Sequence, residues 1–328
     1  MQQFLENSKT YEDLKKTKNL LAFSGGVDSS ALFFILHVKE VPFDIVIVDY
    51  NLRASSKDEV AYAQELSKKH NKKIYIKSVH LGKSNFEANA RDERYDFFTK
   101  IIEENSYETL ITAHHLGDKL EWFFMRFTRG AGAVELNGFN EIEHFKSYKI
   151  VRPLIYNTKD ELLEFLVKNG IKYFVDESNF EDIYERNRWR KNFCGPLLKE
   201  YKQGIKNSFK ALCNDAKELS NDEVFNSREM YCFKRGKGEI RQIAKIAKFF
   251  KIVLSAKQRD EVLNNENCVI SGKIAIGKND TMIFVAPYLQ NIMMTKEFKE
   301  ECRKAKIPLH VRAYMFQNMI SPKEIKCR

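Results

Sequence analysis

The segment Leu20-Leu-Ala-Phe-Ser-Gly-Gly-Val-Asp-Ser-Ser30 indicates a strand, a glycine turn and a helix in succession. A short apolar run with strand character ends at two adjacent glycines, and a segment with helical periodicity over 29–39 follows directly. Paired glycines let the backbone approach an anion without a Cβ in the way. The first amides and the dipole of a helix also favour negative charge. The turn therefore predicts a phosphate cradle between the first strand and the first helix.

Two better-known phosphate-binding turns do not fit this stretch. The lysine of the G-x-x-x-x-G-K-[ST] loop is missing, and so is the glycine spacing of G-x-G-x-x-G. Ser24, Ser29 and Ser30 add hydroxyl donors, whereas Asp28 repels a phosphate unless a cation such as Mg²⁺ lies beside it. A helix start that is capped by serine and aspartate for structural reasons alone remains the alternative at this point.

Strand-like runs alternate with helical segments over the first part of the chain. Strands that are separated by helices pair in parallel through right-handed crossovers, so we predict a doubly wound α/β sheet. Ligands on such sheets bind beyond the carboxyl ends of the strands, which here are 24–29, 49–53, 80–85 and 114–121. The predicted strands are 20–24, 43–48, 73–79, 107–113 and 149–155, and the predicted helices are 29–39, 57–70, 86–104, 118–129 and 158–169.

The 328 residues favour about two domains. After Gly138 the regular alternation ends and a more helical, then mixed, pattern follows. We predict a catalytic domain over 1–200, a helical connector over 201–220 and a smaller α+β domain over 221–328. In this second part the predicted helices are 182–198, 239–251 and 256–264, and the predicted strands are 269–276 and 282–285.

Charge is distributed unevenly along the chain. Residues 1–210 hold 33 Lys and Arg against 31 Asp and Glu, whereas residues 211–328 hold 22 against 14. Ten basic and two acidic residues lie in 228–259 alone. This asymmetry favours a polyanionic partner that is bound by the second half, and a lysine-rich solvated surface is the alternative.

The remaining composition narrows the class of protein. The six cysteines form no C-x-x-C pair, which argues against zinc ribbons, iron–sulfur ligation and redox dithiols. No apolar run reaches the ~18 residues of a membrane span, and the segment 1–18 is too polar for a secretory signal. We therefore expect a cytoplasmic protein with reduced thiols and no membrane partner.

Two motifs resemble a known family. Ser24–Ser29 matches S-G-G-x-D-S, the signature of the N-type ATP pyrophosphatases (the PP-loop superfamily), which split ATP into AMP and pyrophosphate while adenylating a carbonyl-type oxygen. Ala113–Glu121 resembles the A-H-H-x-D-D-x-x-E-T signature of tRNA(Ile)-lysidine synthetases within that superfamily. The resemblance implies an adenine nucleotide alpha hydrolase-like fold.

Six further motifs follow in the order of this family, and the resemblance is continuous over about 20–200. They are Val48–Glu59, Phe86–Tyr95, Arg129–Gly132, Arg152–Leu154, Asp176–Asn179 and Arg186–Arg190. Three positions depart from the family pattern: Gly117 replaces the first Asp of the pair, Trp122 replaces Thr, and Tyr50 replaces His. The remaining carboxylates, Asp118 and Glu121, share one helix face at i and i+3.

The resemblance implies the reaction and the substrates. The 2-carbonyl oxygen of the wobble cytidine in the CAU anticodon of tRNA(Ile) is adenylated, and the amine of free L-lysine then displaces AMP to give lysidine. ATP is a substrate and Mg²⁺ a cofactor. The oligomeric state is left open, with a homodimer as one possibility, and no DNA partner is expected.

The implied site residues fall into four groups. The ATP cradle is Ser24, Gly25, Gly26, Val27, Asp28 and Ser29, with Asp28 and Asp118 as metal ligands. The catalytic group is Asp28, Arg94, His114, Asp118, Glu121 and Arg186. Asp118 and Glu121 receive the lysine ammonium, with His114 as a relay. The tRNA is contacted by Arg91, Arg129, Arg188, Arg190, Arg235, Lys237 and Arg241.

For several of these residues, a purely structural role is the alternative to a functional one. His114 and, more so, His115 are open to a structural role at a strand end. Trp189 and Tyr184 are either platforms for unstacked bases or core residues.

Two other functions compete. Another N-type ATP pyrophosphatase, thiolating or ammonia-using, is disfavoured because no cysteine precedes Cys194 and no amidotransferase segment is visible. A non-enzymatic tRNA-binding protein has no need of the turn at 24–29.

Overall fold

The computed structural model describes residues 8–51, 56–80, 82, 86–145, 147–175, 185–219 and 224–325. The chain forms two compact units that divide between Lys210 and Ala211. This division falls inside a helix, Gly195–Glu218, and within the predicted connector. None of the described helices is long and apolar enough to cross a membrane.

The first unit is built on a six-stranded sheet with the order β3-β2-β1-β4-β6-β5. All neighbours pair in parallel except β5, which pairs antiparallel with β6 at the edge. The predicted doubly wound sheet is thus confirmed, and the edge strand β5 is an addition. The strands are β1 Asn19–Ala22, β2 Asp44–Asp49, β3 Ile74–Ser78, β4 Thr109–Ile111, β5 Ile142–Phe145 and β6 Tyr148–Val151.

Helices cover both faces of this sheet, because successive strand residues point to opposite sides. Leu21 and Ile45 pack with residues of α2, α3 and α7, whereas Leu20 and Val46 pack with residues of α4. All four strand residues are fully buried, each worth about 1.5–3 kcal/mol. The helices are α1 Ser8–Leu14, α2 Val27–Val38, α3 Ser56–Lys69, α4 Phe86–Asn105, α5 Leu116–Phe127, α6 Ala133–Leu136, α7 Lys159–Lys168, α8 Glu185–Trp189 and α9 Gly195–Glu218.

A π-helical turn, Arg190–Cys194, joins α8 to α9. The predicted helix 182–198 and the connector are therefore one helical run from Glu185, with a kink at Tyr201 (φ −119°, ψ 21°). Positions 182–184 lie outside the described residues.

The second unit is a five-stranded antiparallel sheet with the order β7-β8-β11-β10-β9. The prediction of one strand over 269–276 is wrong, because Ser271 (φ 53°) and Gly272 (φ 64°) form a tight hairpin turn between two strands. The strands are β7 Phe225–Ser227, β8 Met230–Lys234, β9 Asn267–Ile270, β10 Ile274–Lys278 and β11 Met282–Pro287.

Helices again cover both faces of the second sheet. Ile276 and Ile283 pack with α10 and α11, whereas Ala275 and Phe284 pack with α12 and α13. The α+β class predicted for this part is confirmed, although the sequence did not indicate α12, α13, β7 or β8. The helices are α10 Glu239–Phe249, α11 Ala256–Asn264, α12 Lys296–Lys304 and α13 Leu309–Gln317.

Candidate active site

The glycine turn after β1 has the geometry of an anion cradle. Gly25 lies in the left-handed region (φ +74°), and a Cβ there would meet the Phe174 ring at 3.3 Å. Its carbonyl accepts a hydrogen bond from the Phe174 amide at 2.9 Å. The Ser30 hydroxyl donates to the same carbonyl at 3.1 Å, and the hydroxyls of Ser24 and Ser29 lie 3.1 Å apart. The chain itself thus holds the turn open.

Among the residues that the structure describes, no side chain caps the helix that starts at this turn. Gly26 is the N-cap residue of α2, and it offers no group to the first amides. Helix α2 therefore begins with amide donors that are available to an anion. Val27 and Ser29 are buried, so the predicted ATP-binding residues line a preformed turn.

The N terminus of α5 lies at the same edge and is capped by its own chain. The His115 Nδ1 accepts from the Gly117 amide at 3.0 Å, and Asp118 Oδ2 accepts from the His115 amide at 2.9 Å. Because Nδ1 accepts, the proton of a neutral ring sits on Nε2. This nitrogen lies 3.6 Å from Asp118 Oδ2 and 3.8 Å from Asp28 Oδ2. His115 thus joins the two predicted metal ligands.

Asp28 has the environment of a metal-binding carboxylate. Burial raises the pKa of its carboxyl group, and the nearby His115 opposes this rise. Its Oδ1 is buried and has no hydrogen-bond partner among the residues that the structure describes. Mg²⁺ is ordinarily held by one or two carboxylates, with water and substrate phosphates completing its shell. Asp28 Oδ1 is therefore placed to take a cation such as Mg²⁺, whereas both oxygens of Asp118 already accept hydrogen bonds, from the His115 amide and from Arg186.

Asp118 is held in its ionised form. Burial would raise the pKa of this carboxyl group, but His115, Arg186 and His114 together bring it well below its usual range. Asp118 Oδ1 accepts a hydrogen bond from the Arg186 guanidinium. The negative charge is therefore present at any physiological pH.

Glu121 is buried and shared by two arginines. Its side chain is only 1% exposed, Arg186 Nε donates to Oε2 at 2.6 Å, and Arg190 Nε donates to Oε1 at 2.7 Å. Arg190 was predicted to contact the tRNA backbone, and the structure turns it inward to Glu121. Both carboxylate oxygens are engaged, so the predicted role of Glu121 as a lysine receptor requires that one arginine give way.

His114 lies beside this cluster as a neutral ring. Burial, with the charges of Arg152, Arg186 and Arg94, lowers the pKa of His114 to about 3. The Nδ1 atom lies 2.9 Å from the Thr112 hydroxyl, and the ring packs on Phe139. A histidine with so low a pKa is a hydrogen-bonding partner at neutral pH rather than an efficient base.

Arg94 reaches the site from α4. Its charge lowers the pKa of His114 and opposes the burial that raises the pKa of Tyr50. The Tyr50 hydroxyl donates to the Ala90 carbonyl at 2.8 Å and so joins the end of β2 to α4. Arg91 is exposed, and its guanidinium packs over the Tyr95 ring of the same helix.

The remaining predicted tRNA contacts lie at the surface. Arg129 pairs with Glu185, and Arg188 is exposed on α8. The second unit holds the last three: Arg235 is bonded to Glu266, Lys237 is exposed, and Arg241 is partly exposed. The motif residues Arg53, Ser55, Asp176–Asn179 and Tyr184 lie outside the described residues.

The sequence favoured a structural role for His115, and its ring indeed caps the start of α5. The sequence feature that accompanies this cap is the glycine two residues later, Gly117. A Cβ at Gly117 would lie 2.7 Å from His115 Cε1, so only glycine leaves room for the capping ring. The glycine at 117, which departs from the family pattern, is therefore coupled to the capping position of the His115 ring.

Comparison of the sequence with known proteins identifies one family. The PP-loop domain family matches residues 1–199. The chain is 45% identical over 307 residues to the tRNA(Ile)-lysidine synthase of Campylobacter jejuni strain RM1221, covering 94% of this chain and 95% of the relative. It is 42% identical to that of Wolinella succinogenes (93% and 94% covered) and 38% identical to that of Helicobacter pylori strain 26695 (96% and 95%).

A solved structure supports the fold alone. The U34-tRNA thiolase NcsA from Methanococcus maripaludis, with its [4Fe-4S] cluster, aligns with a TM-score of 0.55 at 17% identity, over 77% of this chain and 90% of that one. The sequence relatives decide the family. The chain belongs to the tRNA(Ile)-lysidine synthase family, with its PP-loop domain over residues 1–199.

Proposed function

We propose that this protein is an ATP-dependent ligase that adenylates the wobble cytidine of the CAU anticodon of tRNA(Ile) and then couples free L-lysine to it, with AMP and diphosphate as products. The observation that carries the proposal is the pairing of an uncapped helix start at Gly26 with a carboxylate–arginine cluster at the same sheet edge. It acts in the cytoplasm.

The first half of the reaction uses the cradle. The amides at the start of α2 and the Ser24 and Ser29 hydroxyls bind the triphosphate and stabilise the charge that develops on the leaving diphosphate. Asp28 and Asp118 would hold Mg²⁺, which supplies neutralisation of phosphate charge when bound.

The second half uses the arginine cluster. Arg186 and Arg94 present planar guanidinium groups that suit the edge of a cytidine or a phosphate oxygen. Asp118, held ionised, attracts the lysine ammonium toward the activated carbon. Glu121 fixes Arg186 and Arg190 in place, which makes it a positioning residue as well as a candidate lysine receptor.

The tRNA itself is bound by the basic region 221–328, which lies within the second unit. Arg235, Lys237 and Arg241 contact phosphates, so the affinity for tRNA falls steeply with salt. A homodimer is compatible with this reaction and is not required by it.

One assay tests the proposal. The protein is incubated with ATP, Mg²⁺, radiolabelled lysine and either tRNA(Ile) or tRNA(Met), both carrying CAU. Label that enters tRNA(Ile) alone, with one AMP released for each lysine incorporated, supports the proposal. A folded preparation that binds ATP yet incorporates no lysine rejects it. Incorporation of sulfur or ammonia instead would assign the chain to another PP-loop reaction.

A further inference from the structure

Five aromatic side chains form a continuous row on α5 and the α8–π segment. Phe127 stacks on Phe123 (centroids 5.8 Å apart, 10° between planes), and Phe124 stacks on Trp189 (5.2 Å, 3°). Phe123 contacts Phe124 at 5.7 Å, and Trp189 contacts Phe193 at 4.9 Å. We refer to these five residues as the aromatic face.

The aromatic face is open to solvent at both ends. Phe127 is 59% exposed and Phe193 is 49% exposed. Single exposed apolar residues are ordinary, but a connected row of aromatic rings at a surface marks an interaction site. Ring planes that lie parallel to a neighbour leave a flat surface on which a further flat group can stack.

The same two elements carry the aromatic face and the catalytic cluster. On the α8–π segment, Arg186 and Arg190 reach Glu121, whereas Trp189 and Phe193 reach Phe124. The π-helical turn, a feature often found at functional sites, carries one residue of each set, Arg190 and Phe193. A chain of nucleotides with one base at the arginines therefore has its neighbours within reach of the aromatic face.

The positive charge around the aromatic face favours an anionic partner. Residues 185–194 contain four basic side chains and one acidic side chain, Glu185, which Arg129 pairs. Arg188 and Lys191 are exposed on this segment. Flat rings set among cations suit unpaired bases on a phosphate backbone. A second copy of this chain, with a net charge of +10, meets the same cations with like charge.

We propose that the aromatic face stacks the unpaired anticodon-loop bases that flank the modified cytidine. The inference rests on the proposed function, since it takes the reacting base to lie at Arg186. It assigns the flanking bases to Phe193 and Phe127, which are the rings with free surface.

The test uses a hairpin RNA with a CAU loop, in which 2-aminopurine replaces a loop base beside the cytidine. Stacking on an aromatic ring quenches the fluorescence of this base. Phe193→Ala is expected to weaken RNA binding about tenfold and to remove the quench. Phe193→Trp is expected to keep both. Phe193→Leu, which retains apolar bulk without a π face, is expected to behave like the alanine variant.

Val167→Ala is the matched control, because Val167 is 66% exposed on α7 and should leave RNA binding unchanged. The inference is overturned if Phe193→Leu binds and quenches like the unaltered protein, or if Phe193→Ala changes only the sedimentation coefficient, which would make the aromatic face a self-association surface. Failure of the proposed function is a different result: the unaltered protein binds and quenches the hairpin but never incorporates lysine.

Discussion

Two helices begin at the same edge of the first sheet, and they differ in how their first backbone amides are satisfied. Helix α2 begins at Gly26 with no side-chain cap, whereas α5 begins at His115 with a reciprocal cap from His115 and Asp118. Each helix must satisfy its first amides. The α5 start satisfies them from its own chain, and the α2 start leaves them for a ligand.

The starts of α2 and α5 therefore offer different binding groups to a ligand. The open start at α2 offers amide donors and therefore binds anions. The closed start at α5 uses its donors internally and presents a fixed carboxylate, Asp118, beside an imidazole N–H. Because the starts of α2 and α5 lie side by side, an anion-binding group and a cation-binding group are adjacent. This arrangement suits the proposed transfer of a nucleotidyl group.

The largest effect is expected from Asp28→Asn, which removes the carboxylate between the two helix starts. The amide keeps the shape of the side chain but cannot neutralise a cation. AMP release should fall at least about hundredfold, since charge stabilisation in such sites is worth that much. Binding of tRNA should be nearly unchanged.

Asp13→Asn provides the matched control, because Asp13 is exposed and its carboxylate makes a long ion pair with Lys16 at 3.9 Å. Steady-state AMP release and filter binding of tRNA measure the two effects. An equal collapse of tRNA binding in Asp28→Asn would mean that Asp28 has a structural role.

The second effect tests the open start directly through Gly26→Ala. Gly26 has φ −72°, and an added Cβ would meet only Ser24 Oγ at 3.6 Å and the Phe174 carbonyl at 4.0 Å. The substitution therefore fits the fold, but alanine is a poorer N-cap residue than glycine, so the free energy of unfolding should fall by about 0.5–1 kcal/mol. The Cβ should also obstruct a phosphate, so the KM for ATP should rise about tenfold. An unchanged KM would place the triphosphate elsewhere.

Local features of the first unit could be predicted from the sequence. The glycine turn at 25–26, the strand–helix alternation and the Thr158 cap of α7 depend on neighbouring residues, and the structure contains all three. The hairpin turn at Ser271 was missed, although it too is local, because the β-branched residues on either side read as one strand.

Contacts between distant residues could not be predicted. Arg190 lies 69 positions from Glu121, and nothing in the pattern of its own helix indicates that it turns inward. The position of His115 Nε2 near Asp28 and Asp118 likewise depends on the sheet, which brings the starts of α2 and α5 to one edge. The helices α12 and α13 were also missed, since their cores depend on a sheet face formed by other segments.

The third effect concerns the closed start. In Gly117→Ala the new Cβ would crowd the His115 ring at 2.7 Å and displace it from its capping position. Loss of the cap and crowding outweigh the better helix propensity of alanine, so the free energy of unfolding should fall by about 1 kcal/mol. With His115→Ala already present, the same substitution should instead stabilise by about 0.5–1 kcal/mol. Urea unfolding of the four proteins measures this cycle, and simple additivity would contradict the coupling.

The smallest effect concerns a third helix start, that of α7, which is capped at Thr158 and follows Asn157, whose carbonyl accepts from the Leu116 amide of α5 at 2.8 Å. Glu161 bonds the Thr158 amide at 3.0 Å and Lys202 Nζ at 2.7 Å, and these contacts, working against burial, lower its pKa below the ordinary 4.5. The folded state therefore favours the ionised form, and this stability is present above pH 5 and is lost as pH falls through the lowered pKa. Glu161→Gln should cost about 0.5–1 kcal/mol at pH 7. The difference from the unaltered protein should shrink in unfolding experiments as pH falls through the lowered pKa of Glu161, whereas a difference that does not change with pH would mean that the carboxylate charge is not what stabilises this start.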